Sequence, residues 1–303
     1  NSDEDDTVDG EYKEVWRELM KIYQIGKSVV VEDEKTIKNI TTLRPSIKTS
    51  IDLIKVALGN DLTVSEYLKK TMDTNKGDTP TSILSNSRIP IDSPETWAFG
   101  VTYEDSMKER QAESDTPDVY GKVYVADRPE AFFKSTLARI KGNNDKVGIR
   151  SDSTWDVPEP ELTFIVFHGK IVGFTVGNDM SSRSIEGENP LYIPQAKIFN
   201  NSASIGPCWV PIELIDYNNL NVEMIIKRNS KEVYSGSGNT SLMKRKCDEL
   251  NEWLHKSNDV PDGTTVMTGT GTIPPEDFTL QHGDQISITI QDIGTLVNEV
   301  IKV

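Results

Sequence analysis

The chain has 303 residues, which is enough for one large domain and a smaller companion domain. Its formal net charge of −15 argues against nucleic acid and anionic membranes as partners, because their phosphates attract basic surfaces. No run approaches the roughly 18 apolar residues of a membrane span, and the N-terminus lacks the basic-then-apolar pattern of a signal peptide. These features predict a cytoplasmic protein.

The N-terminal part of the chain is predicted to contain one helix, one strand and several short elements. Residues 1–10 are acidic and without pattern, so we expect them to be mobile. Between residues 11 and 25, apolar residues recur at helical spacing: Val15, Leu19, Ile22 and Tyr23. Gly26 follows where such a helix would end, and Val29–Val31 reads as a strand. Short helices and loops are expected over 36–85.

Two β-hairpins are predicted further along the chain. The paired runs are 162–167 with 171–177, and 222–228 with 232–236. Each pair is rich in β-branched and aromatic residues and is separated by a short turn containing Gly169 or Asn229. Such turns between β-prone runs are typical of antiparallel strands joined directly.

The C-terminal part is predicted to hold one helix and three closing strands. The helix spans about 241–256 and is capped by Thr240 or Ser241, and the strands lie in TVMTGTG, ISITI and LVNEVIKV. Many strands and few helices predict an α+β fold that is predominantly β. We divide the chain into a small N-terminal α+β domain, residues 1–88, and a catalytic domain, residues 89–303.

Three carboxylates stand out at the first hairpin. Glu159 and Glu161 are two residues apart at a strand entrance, so an extended backbone directs both side chains to one face. The returning strand ends at Asp179, which can join them. Such a cluster suits Mg²⁺ or Mn²⁺. Spacing alone slightly favours a second interpretation, an exposed acidic strand edge with an aspartate in a turn.

Several motifs in this order resemble the fumarylacetoacetate hydrolase superfamily. They are EPEL (159–162), GFTVGNDMSSRS (173–184), PQAKIF around Lys197, DGTTVMTGTG (262–271) and LQHGDQISITIQDIGTLVNEV (280–300). The resemblance covers about 90–303. It implies a mixed β-sandwich roll, a homodimer or higher homo-oligomer, and Mg²⁺ bound by Glu159, Glu161 and Asp179, with Mn²⁺ or Ca²⁺ as substitutes.

One segment departs from the hydrolytic members of that superfamily. They carry a GLNYxDHxxE-like segment whose His activates water, and this chain has GVTYEDSMKE, with Ser106 at the His position. The longer strings PETWAFGVTYE, VGIRSDSTWDVPEPEL and ENPLYIPQAKIF are similar to the 2-keto-3-deoxy-pentonate (arabinonate) dehydratase branch. This branch implies dehydration of a small 2-keto-3-deoxy sugar acid to 2,5-dioxopentanoate through a metal-stabilised enolate.

The resemblance also implies roles for individual residues. Lys197 is expected to act as the base at C3 and Glu130 as the acid for the C4 hydroxyl, with Arg183 orienting the acidic cluster. Substrate contacts are expected from Tyr103, Glu104, Lys134 and Thr270. The alternative for Glu130 is an ordinary glutamate in the first turn of a helix after Pro129.

Two other functions stay open at this point. One is an acylpyruvate hydrolase or oxaloacetate decarboxylase of the same superfamily, which would use the same metal chelate to split a C–C bond. The other is a non-catalytic protein that binds 2-keto acids. Retention of Lys197 argues against the second, since a binding protein has no need of a base.

Overall fold

The structure of the protein, a computed structural model, describes residues 18–114 and 117–303. The strands in this part are β1 (Lys21–Ile25), β2 (Ser28–Glu32), β3 (Ile37–Asn39), β4 (Glu95–Gly100), β5 (Glu130–Thr136), β6 (Lys146–Ile149), β7 (Asp156–Val157), β8 (Pro160–Phe167), β9 (Lys170–Asp179), β10 (Ser181–Ser182), β11 (Ala203–Pro211), β12 (Asn221–Arg228), β13 (Lys231–Asn239), β14 (Thr265–Met267), β15 (Gln285–Ile290) and β16 (Gly294–Lys302).

The α-helices are short and surround the strands. They are α1 (Ile40–Leu43), α2 (Ser50–Gly59), α3 (Val64–Met72), α4 (Glu104–Glu113), α5 (Pro117–Val125), α6 (Arg183–Glu188), α7 (Ile193–Lys197) and α8 (Cys247–Leu254). Within the described ranges, no helix combines the length and the apolar character needed to cross a bilayer.

A nine-stranded sheet forms the centre of the fold. Its order is β3-β2-β1-β11-β9-β8-β14-β4-β5, and all neighbours are antiparallel except β14 and β4. The predicted hairpin at 162–177 is confirmed as β8 and β9, which lie in the interior of this sheet. Every residue of β8 is buried, and so are the last seven of β9. The end of this hairpin is therefore held on both sides by other strands.

A five-stranded sheet packs on β8, β9 and β11 of the central sheet. Its order is β13-β12-β15-β16-β6, and only β16 and β6 are parallel. The second predicted hairpin is confirmed as β12 and β13. The three predicted closing strands are confirmed as β14, β15 and β16. Alternate residues of β12 and β15 are buried against the central sheet, as expected for strands with one face in solvent. The α+β, predominantly β fold is confirmed.

The predicted helix over 11–25 is wrong where the structure describes it, because Lys21–Ile25 is strand β1. Ile22, Tyr23 and Gln24 are all buried, because β1 lies inside the sheet and is also packed by α2 and by the 3₁₀ turn Thr81–Asn86. Gly26 does not end a helix but turns the chain into β2, with a positive φ of 58°. A fully buried strand and one face of a helix give similar short apolar patterns. The start of that helix and the acidic residues 1–10 lie outside the described residues.

The N-terminal strands continue the sheet of the C-terminal part. Ile22 of β1 pairs with Trp209 of β11, and the Trp209 indole Nε1 donates to Ser50 Oγ of α2 at 3.0 Å. The central sheet thus passes across the predicted boundary between residues 88 and 89. The division into two domains stays a prediction.

The predicted helix at 241–256 is shorter than expected, and its predicted caps are wrong. The helix α8 begins at Cys247, and Thr240–Leu242 is a separate 3₁₀ turn. Residues between this turn and α8 make hydrogen bonds to other segments. The Lys244 backbone N–H donates to Thr102 O at 2.9 Å, and the Arg245 guanidinium donates to Asp127 O at 3.1 Å. These contacts hold the chain away from a helical path.

Candidate active site

The predicted carboxylate cluster forms at the ends of β8 and β9. Backbone hydrogen bonds join Glu159 N to Asp179 O at 3.2 Å and Asp179 N to Glu159 O at 3.0 Å. Glu161 pairs with Gly177, so its side chain lies on the same face. Oxygen atoms of the three carboxylates lie within 4.8 Å of one another, and all three residues are buried. The interpretation as an exposed acidic edge is therefore wrong.

The donors of this cluster fit a divalent metal ion. Burial raises the pKa of Glu161 well above its usual value, and the neighbouring Asp179 and Glu159 carboxylates raise it further. The Gly269 backbone N–H donates to Glu161 Oε2 at 2.7 Å, which only partly opposes this effect. Three close carboxylates in a buried site are stable when a cation shares them, and hard oxygen ligands suit Mg²⁺.

Lys197, at the end of α7, contacts the cluster directly. Its ammonium group donates to Glu159 Oε2 at 2.8 Å, Asp179 Oδ2 at 3.1 Å and Ser181 Oγ at 2.6 Å. Burial lowers the pKa of Lys197, but the two carboxylates outweigh burial and raise it. A cation held by the same carboxylates would act in the opposite direction and favour the neutral amine. The structure thus places Lys197 where metal binding can make it a base.

Lys134 of β5 is fully buried beside the same carboxylates. Its Nζ lies 2.5 Å from Asp179 Oδ1 and donates to Met180 O at 2.8 Å and Lys197 O at 2.5 Å. These three partners account for the three protons of an ammonium group. The contacts make Lys134 a link between β5, β9 and α7. Its role as a substrate ligand stays a prediction.

Glu130 is the first residue of β5 and pairs with Gly100 of β4. The alternative interpretation, a glutamate in the first turn of a helix, is therefore wrong. Burial raises the pKa of Glu130, and the nearby Arg110 only partly opposes this. Its Oε2 has no hydrogen-bond partner among the described residues. Glu130 is half-buried, with 19% of its side chain exposed. A carboxyl group with a raised pKa keeps its proton to higher pH, as a general acid requires.

Arg183 contacts the cluster as expected of an orienting residue. Its Nη2 donates to Glu159 Oε1 at 3.1 Å from the start of α6. Burial opposes ionisation of Glu159, but Lys197, Arg183 and Arg110 together hold its pKa at about 2. Glu159 is therefore ionised throughout the neutral range and available to a metal.

Two buried residues of the site were missed in the sequence. Arg110 of α4 lies with its Nη2 2.6 Å from Glu186 Oε1 of α6, and this Glu186 oxygen is 3.9 Å from Lys197 Nζ. No apolar stripe in EDSMKERQAE distinguishes the inward-facing Arg110 from its exposed neighbours. Glu186 could have been suspected from the sequence, because it follows Arg183 by three residues and this spacing places both side chains on one side of a helical turn.

The remaining predicted substrate ligands differ in where the structure places them. Tyr103 is buried, and burial, Cys247 and Glu161 raise its pKa, so its ring lies near the cluster. The Thr270 hydroxyl is buried but donates to Thr272 O at 3.1 Å. Glu104 is exposed and pairs with Lys108 at 2.8 Å, so the structure does not bring it to the cluster. All three contacts with substrate stay predictions.

The fold and the site together are those of a metal-dependent enzyme. The features are the central sheet, the buried carboxylates at its middle and the adjoining lysine. Residues 168–301 match the C-terminal domain of fumarylacetoacetate hydrolase. Together with the relatives described next, this match shows that the chain belongs to the fumarylacetoacetate hydrolase family.

Two relatives with assigned names are similar over most of the chain. A probable 2-keto-3-deoxyxylonate dehydratase of Haloferax volcanii is 44% identical over 272 residues, covering 89% of this chain and 90% of the relative. A 2-dehydro-3-deoxy-D-arabinonate dehydratase of Saccharolobus solfataricus is 41% identical over 220 residues, covering 70% and 74%. A solved 2-keto-3-deoxy-D-arabinonate dehydratase, complexed with magnesium and 2,5-dioxopentanoate, superposes with a TM-score of 0.76 at 32% identity, covering 94% and 99%.

Proposed function

We propose that this chain is a Mg²⁺-dependent dehydratase that converts a 2-keto-3-deoxy pentonate to 2,5-dioxopentanoate. The observation that carries the proposal is the placement of a lysine and a carboxylic acid beside one carboxylate cluster. Lys197 contacts Glu159 and Asp179 directly, and Glu130 lies on β5, which packs against the helix of Lys197 and brings the two groups within electrostatic reach. The names of the relatives and the complex of the solved dehydratase support the same reaction.

Each group of site residues has its own role in the proposed reaction: metal binding, proton removal or proton donation. Glu159, Glu161 and Asp179 would hold Mg²⁺, which when bound supplies Lewis-acid polarisation of the substrate's keto group. Lys197 takes a proton from C3, and Glu130 gives a proton to the C4 hydroxyl as its C–O bond breaks. One water leaves, made of the C4 hydroxyl and the proton from Glu130. Tautomerisation toward C5 then gives the aldehyde.

The buried charges favour a substrate with one carboxylate. Five carboxyl groups face four cationic side chains: Glu130, Glu159, Glu161, Asp179 and Glu186 against Arg110, Lys134, Arg183 and Lys197. With Glu130 protonated and Lys197 neutral, as the reaction requires, four carboxylates and three cationic side chains remain, and one divalent cation and one monoanionic substrate make the formal charges cancel. Uncompensated charge in a buried site is costly. A dianion such as oxaloacetate would leave a negative excess, so the balance disfavours an oxaloacetate decarboxylase.

The structure offers no histidine for acylpyruvate hydrolysis. Among the described residues, His168 and His282 are exposed, and His255 is half-buried with its Nδ1 2.9 Å from Asn251 O. None of them contacts the carboxylate cluster. Ser106 is buried, but a hydroxyl group has no pKa near neutrality with which to take a proton from water.

The test is incubation of the purified protein with Mg²⁺ and a panel of 2-keto-3-deoxy pentonates, with 2,5-dioxopentanoate trapped as a hydrazone. We expect turnover of at least one pentonate, loss of turnover with EDTA, and none by Lys197→Ala. The matched control is Lys170→Ala, which removes an exposed lysine at the far end of β9. Hydrolysis of an acylpyruvate without any aldehyde product would refute the dehydratase assignment.

We further propose that the enzyme is cytoplasmic and assembles as a homodimer or a higher homo-oligomer. Both cysteines, Cys208 and Cys247, are free and buried, which fits a reducing compartment. Light scattering on the purified protein tests the assembly. A monomer at micromolar concentration would contradict it.

A further inference from the structure

Three polar groups without hydrogen bonds meet beside the carboxylate cluster. They are Arg110 Nη1 from α4, the Tyr120 hydroxyl from α5 and Glu130 Oε2 from β5, and none has a hydrogen-bond partner of ordinary geometry among the described residues. The Arg110 guanidinium lies over the Tyr120 ring, 5.4 Å from its centre. Buried polar atoms are rarely left without partners. Their convergence from three elements marks a place for a polar ligand group.

The Arg110 guanidinium lies closer to Glu186 than to Glu130. Its Nη2 lies 2.6 Å from Glu186 Oε1, whereas its Nη1 lies 3.7 Å from Glu130 Oε1, which is too long for a hydrogen bond. Glu186 therefore offsets the positive charge of Arg110. This leaves Arg110 able to orient Glu130 without strongly favouring ionised Glu130.

Gly100 of β4 lies against the Glu130 carboxyl. A Cβ atom at Gly100 would lie 1.8 Å from Glu130 Oε2 and 3.4 Å from Arg110 Nη2. The Glu130 carboxyl is therefore packed against bare backbone on one side and faces the guanidinium on the other. Arg110 is the cation paired with this carboxyl among the described residues, with its Nη1 3.7 Å from Oε1, while Oε2 has no hydrogen-bond partner there.

We propose that Arg110, anchored by Glu186, is a positioning residue that sets the Glu130 carboxyl for proton donation to the leaving C4 hydroxyl. This inference rests on the proposed dehydratase function. In that reaction, Glu130 must reach the C4 hydroxyl while Lys197 removes the C3 proton. Among the described ion pairs, Arg110 pairs with Glu130 and Glu186 and not with the carboxylates proposed to hold the metal or with Lys197. Its charge reaches Glu159 and Lys197 only from a greater distance and lowers the pKa of both, so we expect its larger effect on loss of water and a smaller one on proton removal.

The two half-reactions can be measured separately. The 2-keto acid 2-oxopentanoate has C3 protons but no C4 hydroxyl, so the enzyme can exchange its C3 protons with deuterated solvent but cannot dehydrate it. Exchange, followed by NMR against an enzyme-free sample with the same Mg²⁺, reports proton removal. Aldehyde formation from the 2-keto-3-deoxy pentonate reports the complete reaction.

We expect Arg110→Gln to lower kcat for dehydration by about 10²-fold, the effect of misplacing a catalytic group by about 1 Å, and to leave exchange within about twofold of the wild type. Glu130→Gln should show the same pattern, and the double variant should be no worse than Glu130→Gln, because both changes remove one function. Arg110→Lys should recover part of the rate. Lys122→Gln, an exposed charge on α5, serves as the matched control.

Four outcomes would overturn this role. They are an Arg110→Gln variant with unchanged dehydration, a parallel fall of exchange and dehydration, a change in KM alone, or a double variant far worse than either single one. If Arg110→Gln unfolds by circular dichroism, Arg110→Gln/Glu186→Gln removes both charges and is held to the same criteria. A wild-type protein that exchanges 2-oxopentanoate but dehydrates no pentonate would refute the proposed function, whereas a dehydrating wild type with an unaffected variant would refute only the role of Arg110.

Discussion

Gly100→Ala should separate catalysis from folding at this site. Gly100 ends β4 opposite Glu130, and the added methyl group would lie 1.8 Å from Glu130 Oε2 and 2.8 Å from its Cδ. Ordinary carbon–oxygen contacts begin near about 3.4 Å, so the carboxyl group must move by about 1.6 Å. It can move, because it is the end of a flexible side chain.

The expected loss follows from that displacement. Moving a catalytic group by about 1 Å can lower a rate about 10²-fold, and a general acid contributes about 10²–10⁴-fold in total. We therefore expect kcat for dehydration to fall by at least about 10²-fold. The free energy of unfolding should fall by only about 1 kcal/mol, at the low end for overpacking. Mg²⁺ affinity should not change, because the carboxylates on β8 and β9 are not displaced.

The assay combines dehydration kinetics, Mg²⁺ titration by calorimetry and urea denaturation of the same samples. Gly59→Ala is the matched control, since a Cβ at the end of α2 would meet nothing within 4 Å. It should leave dehydration and Mg²⁺ affinity unchanged and should raise the free energy of unfolding by no more than about 1 kcal/mol, because alanine is favoured over glycine in a helix. A Gly100→Ala variant with full activity would refute the reasoning, and so would one that loses activity in proportion to folding or metal affinity.

Three further predictions concern the metal, pH and packing. Glu161→Gln should weaken Mg²⁺ binding more than about tenfold by calorimetry, and unchanged affinity would contradict the cluster. Burial raises the pKa of Asp156 from 3.8 to about 6. The folded state therefore binds the carboxyl proton of Asp156 more tightly than the unfolded chain does. The free energy of unfolding should fall as pH rises from about 4 to about 6. Asp156→Asn should therefore reduce the fall in unfolding free energy between pH 4 and pH 7 seen by urea denaturation, and an identical pH slope would contradict it. Gly142→Ala should destabilise the fold by about 3 kcal/mol or more, because its Cβ would lie 2.3 Å from the Arg88 backbone carbon; a change below 1 kcal/mol would show that the backbone yields.

The metal site was predictable from sequence because its geometry is local. Glu159, Glu161 and Asp179 lie at the ends of a single hairpin, and strand alternation with a tight turn determines which side chains share a face. The same reasoning failed at Lys21–Ile25. There, burial of successive residues comes from segments that pack on β1, helix α2 and residues 81–86, and the pattern within five residues contains no information about them.

Part of the surroundings of this cluster was not predictable, because it assembles from distant segments. Arg110 and Glu186 come from α4 and α6, and each is buried with a charged partner from the other element. A charged residue in a polar segment is normally exposed. The exceptions depend on tertiary pairing, which spacing along the chain does not reveal.

The carboxylate cluster and Glu130 occupy different places in the central sheet, and this difference bears on how reactions can diverge within the family. The three carboxylates proposed to hold Mg²⁺ lie at the ends of interior strands β8 and β9, whose displacement would break ladders on both sides, whereas Glu130 lies on edge strand β5. Arg110 and Tyr120 belong to helices α4 and α5, which follow β4 near the same edge. Under the roles proposed above, mutations at this edge would alter loss of the C4 hydroxyl and preserve proton removal at the centre. One ancestral scaffold can thereby give rise to enzymes that share a first step and differ in the second.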